Sequence, residues 1–364
     1  MLLNMEFYRN KRVLVTGHTG FKGTWLCRML LGAGATVTGY SLEPPTNPNL
    51  YSQSGVDTDQ HMTGIIGDIR DYDHLKKVFD EFQPEIVLHL AAQPIVRESY
   101  QNPRYTYETN VMGTVNLLEC VRLTASVRSV LNVTTDKVYY NNEWCWGYRE
   151  DDPLDGFDPY SNSKSCSELV THSYKNSFFA DMDGQENRRY LAVSTVRAGN
   201  VIGGGDYATD RIIPDCVRAM EAGRIIPIRN PYSTRPYQHV LEPLSVYLMI
   251  AMRQYEDREM QGYYNVGPDD CDCLTTGELV ELFCEYWGEG AAWANQAEKD
   301  APHEASFLKL DCSLLKRTFG WTPGWHMADC MERVVRFSKL WLSGGDIPAE
   351  MDREIEEFLE GWKI

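Results

Sequence analysis

The first forty residues leave this chain little freedom. Arg12-Val13-Leu14-Val15-Thr16 is a short β-branched run that reads as a buried strand. It feeds directly into Gly17-His18-Thr19-Gly20-Phe21-Lys22-Gly23. Thr24 to Leu31 then carries apolar residues at helical spacing, and Thr36 to Tyr40 reads as a second strand. Strand, glycine turn, helix and strand make a βαβ unit, whose helix N-terminus offers free N–H groups to a pyrophosphate. The glycines are spaced G-x-x-G-x-x-G rather than G-x-G-x-x-G. The flanking strand and helix, more than the triplet, therefore carry the expectation that Gly17, Thr19, Gly20, Phe21, Lys22 and Gly23 hold a dinucleotide.

The pattern then repeats. Ser41 ends the second strand where an acidic residue usually holds the ribose hydroxyls, and no arginine follows to receive a 2′-phosphate, so the cofactor expected is NAD. A third strand, Thr63 to Ile66, leads to Asp68 and Ile69. Two roles are open to Asp68: reaching an adenine amino group, or capping the helix that spans Asp71 to Phe82. A fourth strand, Glu85 to Gln93, ends in Leu90, Ala91 and Ala92, small enough for close cofactor approach, and His89 inside it reads as packed. A long amphipathic helix from Asn102 to Thr124 carries Asn110, assigned to the cofactor. Ser129 to Val133 and Tyr190 to Val196 supply two more strands. The alternation predicts an α/β fold, a Rossmann doubly wound parallel sheet with its active groups at the strands' C-terminal ends.

After Arg197 the character changes. Ala198 to Asp206 is a glycine-rich loop, and Arg229, Arg235 and His239 follow among turn residues. Tyr263 to Gly267 reads as a strand returning to the sheet, Thr275 as the cap of a helix, and Met351 to Trp362 as an acidic surface helix. The chain of 364 residues is too long for one small core. It divides into an NAD-binding Rossmann domain over 1–198, with returning segments near 225–245 and 263–267, and a smaller, interwoven α/β substrate domain over 199–364.

Charge and cysteine usage narrow the partners. A formal charge of −17 argues against nucleic acid or an anionic membrane surface. No apolar run approaches the roughly twenty residues that span a bilayer, and Met1 to Lys11 lacks the apolar centre of a secretory signal. The ten cysteines are scattered, without a CxxC pair or zinc spacing, and Cys271-Asp272-Cys273 reads as a turn. The expectation is a cytoplasmic protein with reduced thiols and no metal.

Chemistry concentrates between Leu131 and Lys164. Thr134-Thr135-Asp136-Lys137 closes the fifth strand, and Tyr160 and Lys164 stand one helical turn apart. A phenol titrating at about 10 is a poor base at neutral pH. A neighbouring ammonium and a positive nicotinamide ring would favour the phenolate.

These features resemble the extended short-chain dehydrogenases/reductases, the NAD-dependent epimerase/dehydratase family, over nearly the whole chain. The resemblance rests on Gly17-x-x-Gly20-x-x-Gly23, Asp68-Ile69, Leu90-Ala91-Ala92, Thr135, Tyr160-x-x-x-Lys164, Arg197 to Val201 and Tyr264-Asn265-Val266-Gly267. Within that family, epimerases have nothing acidic after the position of Thr135, whereas sugar 4,6-dehydratases read Thr-Asp-Glu. Here the triplet is Thr135-Asp136-Lys137. With His18 to Gly23, Gly203 to Asp206 and Arg235 to Val240, that departure is similar to the branch acting on CDP-glucose.

The resemblance implies a deoxysugar-forming activity of the kind that supplies O-antigen polysaccharides. Tyr160 would take the O4 proton as hydride leaves C4 for NAD, with Thr135 hydrogen-bonding O4 and Lys164 beside the ring. Asp136, protonated, would be the acid that expels O6, and Lys137, neutral, the base at C5. In a competing role Lys137 stays charged and steadies the enolate. Asn200, Arg211, Arg229, Arg235, His239, Asn265 and His303 are implied as substrate residues, with Arg235 and Asn200 at the diphosphate because a guanidinium pairs bidentately with phosphate. A homodimer or homotetramer through the helices at 102–124 and 160–179 is implied as well. A 4-epimerase is the alternative, although Asp136-Lys137 has no task in it. A dehydratase for another NDP-glucose is the second alternative.

Overall fold

In the computed structural model, which describes residues 2–179, 190–288, 290–296 and 307–362, seven strands form one all-parallel sheet. The strands are β1 (Arg12–Thr16), β2 (Thr36–Ser41), β3 (Met62–Ile66), β4 (Ile86–His89), β5 (Ser129–Thr135), β6 (Ala192–Ala198) and a closing strand, Tyr263–Val266. Their order across the sheet is closing strand, β6, β5, β4, β1, β2, β3. The order reverses between β1 and β4, which is where a doubly wound sheet opens its crevice. Every residue of β5 and β6 is buried, as β-branched strands covered on both faces require.

Two glycines show why the first turn is written as it is. Gly17 has φ +79°, and a Cβ there would lie 2.8 Å from the Ala91 nitrogen. A Cβ on Gly23 would meet the Gly17 carbonyl oxygen at 2.1 Å. Helix α1 (Phe21–Gly32) can therefore sit tight on the sheet only with glycine at both positions.

Three expectations are corrected. The helix expected over Asn102 to Thr124 is broken into Pro103–Tyr107, a π turn at Glu108–Met112, and Gly113–Arg122, and a further helix, Val96–Gln101, precedes it. Asn110 lies in the π turn, where its amide grips both the N–H and the carbonyl of Gln93 at 2.8 and 3.1 Å and so ties the widened turn to the loop after β4. Secondly, β6 begins and ends two residues later than expected. Thirdly, the terminal helix (Ile347–Gly361) is not a surface helix. Ile347, Met351 and Phe358 are buried at helical spacing, and Glu350 and Glu354 are buried with them. Glu350 is paired with Arg336 at 2.8 Å. Phe358 packs edge-on against Trp325 at 4.9 Å. Phe358→Ala is expected to lower the unfolding free energy by about 3–5 kcal/mol in urea titration; a loss below about 1 kcal/mol would return the helix to the surface.

Beyond the sheet, a separate apolar cluster joins Ile213, Val217, Leu279, Phe283, Met331 and Val334. The helix Thr276–Trp287 is capped by Thr275 and Glu278 acting reciprocally, as the sequence suggests. Leu274–Thr275 pairs antiparallel with Thr234–Arg235 and so fixes the backbone that presents Arg235. Among the described residues no helix is long and apolar enough to cross a membrane.

Candidate active site

A cavity of about 1660 Å³ opens over the C-terminal ends of β1, β4, β5 and β6. The glycine turn forms one wall, through Gly17, Thr19, Gly20, Phe21, Lys22 and Gly23. Helix α1 starts on Gly20 with no side-chain cap and no acidic residue in its first turn, so its N–H groups stay available for an anion. Ser41, at the end of β2, also lines the cavity and shares a 2.7 Å hydrogen bond with Thr19. Asp68, Ile69, Leu90, Ala91 and Ala92 continue the wall. The donor set and the open helix end fit a dinucleotide. Asp71 caps the helix Tyr72–Phe82, accepting from His74 N at 3.1 Å. Asp68 accepts from the backbone and Nε of Arg70 at 2.9 and 3.0 Å, and those bonds hold its carboxyl below the usual range.

Opposite stands the catalytic cluster. Thr135, Lys137, Tyr160 and Lys164 line the cavity, and Asp136 lies fully buried one layer behind them. The Thr135 hydroxyl donates to Asp136 Oδ1 at 2.9 Å. Lys137 Nζ donates to the same oxygen at 3.0 Å and to Asn200 Oδ1 at 3.1 Å. Asp136 Oδ2 has no hydrogen-bond partner among the described residues. The helix that carries Tyr160 and Lys164 (Pro159–Tyr174) is started by Asp158, which accepts from Ser161 N at 3.0 Å, with Pro159 at its first position. Lys164 Nζ donates to the Val133 carbonyl at 3.1 Å.

Burial pushes the Tyr160 phenol up to about 12; the neighbouring Thr135 hydroxyl opposes this and the Asp136 charge adds to it. Lys164 is itself brought down to about 8 by burial, with the Glu168 carboxylate working the other way. Lys22, expected only as part of the glycine turn, sends its side chain into the same cluster. It donates to the Tyr247 hydroxyl at 3.2 Å, and burial with the charges of Arg211 and Lys164 brings it down to about 7.

Of the expected substrate residues, Asn200, Arg211, Arg229 and Arg235 line the cavity. Arg211 pairs with Asp206 at 3.0 Å and Arg229 with Asp210 at 2.8 Å. Arg235 is buried and donates to the Thr234 carbonyl at 3.1 Å. His239 and Asn265 are not brought to the cavity. His239 is enclosed between Trp25 and Trp325 with Nε2 3.4 Å from Glu354. Asn265 accepts from the Tyr139 hydroxyl at 2.6 Å and donates to the carbonyls of Tyr148 and Asp311. Asn110 likewise reaches no cavity wall; it holds Gln93, which does. His303 lies outside the described residues. Asp206 entered the sequence reading only as the end of the glycine-rich loop and Asp210 not at all, because acidic partners of cavity arginines have no local pattern.

The sequence profile of the GDP-mannose 4,6-dehydratase family matches residues 14–334. The CDP-glucose 4,6-dehydratase of Salmonella typhimurium is 47% identical over 359 residues, covering 98% of this chain and 99% of the relative. The structure of dTDP-glucose 4,6-dehydratase from Bacillus anthracis in complex with NAD superposes with a TM-score of 0.73 at 21% identity, over 90% of this chain and 96% of that one. A UDP-glucose 4-epimerase from Stenotrophomonas maltophila gives 0.77 at 20%, over 92% and 100%. At such identities the two structures bear on the fold alone.

Proposed function

The chain belongs to the GDP-mannose 4,6-dehydratase family, and from that premise we propose that it is an NAD-dependent hydro-lyase converting CDP-D-glucose to CDP-4-keto-6-deoxy-D-glucose and water. The observation that carries this reading is the Asp136–Lys137 pair, joined at 3.0 Å beside Thr135 and behind the Tyr160 wall. An epimerase has no use for it.

NAD, when bound, supplies the acceptor and later donor of the C4 hydride and the positive charge that favours the Tyr160 phenolate. The rest is done by the chain. Tyr160 takes the O4 proton while Thr135 hydrogen-bonds O4. The 4-ketone acidifies C5–H. Moving one proton from Lys137 Nζ to Asp136 Oδ1 across their hydrogen bond yields a neutral amine and a carboxylic acid without changing net charge. A dry, substrate-filled site favours that neutral form, since separated charges lose their water. Lys137 then removes the C5 proton. The Thr135 hydroxyl, bonded to Asp136, passes Asp136's proton to the departing O6, which leaves as water. When hydride returns to C6, the Lys137 ammonium reprotonates C5. The proton gained by Tyr160 and the one lost by Asp136 balance through Thr135, which touches both.

The diphosphate falls to Arg235. Arg235→Met is expected to raise KM for the nucleotide sugar about 30-fold, roughly 2 kcal/mol, with a smaller change in kcat. A KM within threefold of the parent would move the diphosphate elsewhere.

CDP-, UDP-, GDP- and dTDP-glucose assayed in parallel test the substrate: CDP-glucose should have the highest kcat/KM, and equal turnover of all four would leave only a generic dehydratase. We further assign NAD binding to 1–198 with the returning strand, and substrate binding to 199–364, on the strength of the separate apolar cluster. Ten free thiols fit the cytoplasm. Exposed Met112 and Leu169, at 50% and 56%, fit a homo-oligomer through the helices that bear them.

A further inference from the structure

Glu168 and Arg197 form an enclosed ion pair beside the cavity, and neither is given a task by the reaction. Their side chains are 1% and 3% exposed. Arg197 Nε and Nη2 meet Glu168 Oε1 and Oε2 at 3.0 and 3.1 Å. The same carboxylate accepts from the hydroxyls of Thr134, at the end of β5, and Thr195, in β6. Arg197 Nη1 is used up on Tyr139 Oη and the Glu150 carbonyl, at 2.8 and 2.9 Å. Glu168 lies four residues after Lys164, as Lys164 lies four after Tyr160, so the three share one helix face. Lys164 grips the Val133 carbonyl while Glu168 grips Thr134, and both thus hold the strand end that presents Thr135.

We infer that Glu168, with Arg197 as its counter-charge, is a positioning residue for the redox pair: it fixes the end of β5 against the Tyr160 helix and sets the charge that Lys164 feels. The inference rests on Tyr160 and Lys164 being that pair. Of the other groups around Lys164, Lys22 on α1 and His89 on β4 feel its charge, Tyr160 shares its helix face, and Lys137 lines the same cavity with Asp136 bonded to it. His89 is held neutral by burial and by Lys164 itself. Glu168 is the anion that raises Lys164 against its burial.

The sign of the effect makes it testable. Glu168→Gln removes the anion and leaves Arg197 charged, so the redox pair loses its proton more easily. The acidic limb of the pH profile for the first hydride transfer should fall by about one pH unit. Arg197→Met leaves the carboxylate alone and should raise that limb by a similar amount. The double variant should lie near the parent, and Arg197→Lys, which keeps the charge, should not move it. A purely architectural role lowers rates and melting temperatures without opposite displacements. Should Arg197→Met fail to fold, Glu168→Gln compared with Arg197→Lys decides. A Glu168→Gln limb that stays in place or rises overturns the inference. If the parent chain transfers no hydride with any sugar nucleotide, the functional reading fails. The inference is then read in the cofactor-free chain, from the pH dependence of Lys164 acetylation followed by peptide mass spectrometry. There, Glu168→Gln must again shift the profile downward.

Discussion

Tyr160→Phe is expected to lower kcat about 10³-fold, in the middle of the range that one general base supplies. The phenol is 9% exposed, lines the cavity, and has the Thr135 hydroxyl as a neighbour. Among the described residues the other candidates are engaged elsewhere: His89 is buried away from the wall, Lys164 is committed to the Val133 carbonyl, Lys22 donates to the Tyr247 hydroxyl, and Lys137 is bound to Asp136 and Asn200. Phenylalanine keeps the ring and its packing, so nucleotide-sugar binding and thermal stability should stay close to the parent. Stopped-flow absorbance of the reduced nicotinamide after mixing with CDP-glucose measures the step directly. Parent-like hydride transfer in the variant would move the base elsewhere.

Lys137→Gln should separate the two halves of the reaction. Oxidation at C4 needs Tyr160, Thr135 and Lys164, all unchanged. Elimination needs the proton that passes between Lys137 and Asp136 over 3.0 Å. Reduced cofactor should therefore appear and persist, while formation of the 4-keto-6-deoxy sugar falls about 10²–10⁴-fold. Uptake of solvent deuterium at C5 should vanish with it. If C5 exchange survives, Lys137 only steadies the enolate and another group is the base. Glutamine can still hydrogen-bond Asn200 and Asp136, so the comparison removes the charge and basicity of the amine more than its contacts.

What could be read from the sequence was whatever chemistry is local. The β1 strand, the turn from Gly17 to Gly23 and the Tyr160–Lys164 pair each lie within one element, so spacing alone placed them on one surface. The parallel sheet followed from their alternation. Residues whose position depends on distant chain were misread. His239 and Asn265 are polar residues near a binding motif, yet each is enclosed by partners more than fifty residues away, Trp325 and Glu354 for one, Tyr139 for the other. Asn110 was placed at the cofactor, and its real partner is the backbone of Gln93. The terminal helix looked acidic because its count of glutamates hides that Glu350 and Glu354 face inward onto Arg336 and His239. Glu168 could have been found by extending the Tyr160–Lys164 spacing one more turn. That it faces a buried arginine could not, because Arg197 comes from another strand.

The proposed reaction requires one active site to move a hydride from C4 to C6 of the same sugar while a proton leaves and re-enters at C5. Turnover of CDP-glucose carrying deuterium at C4, with the product read by proton NMR and mass spectrometry, tests it most directly. The predicted result is deuterium on C6 of a 4-keto-6-deoxy product, with a solvent proton at C5. Deuterium retained at C4 of an unreduced hexose, as an epimerase would leave it, or lost to solvent, would contradict the account.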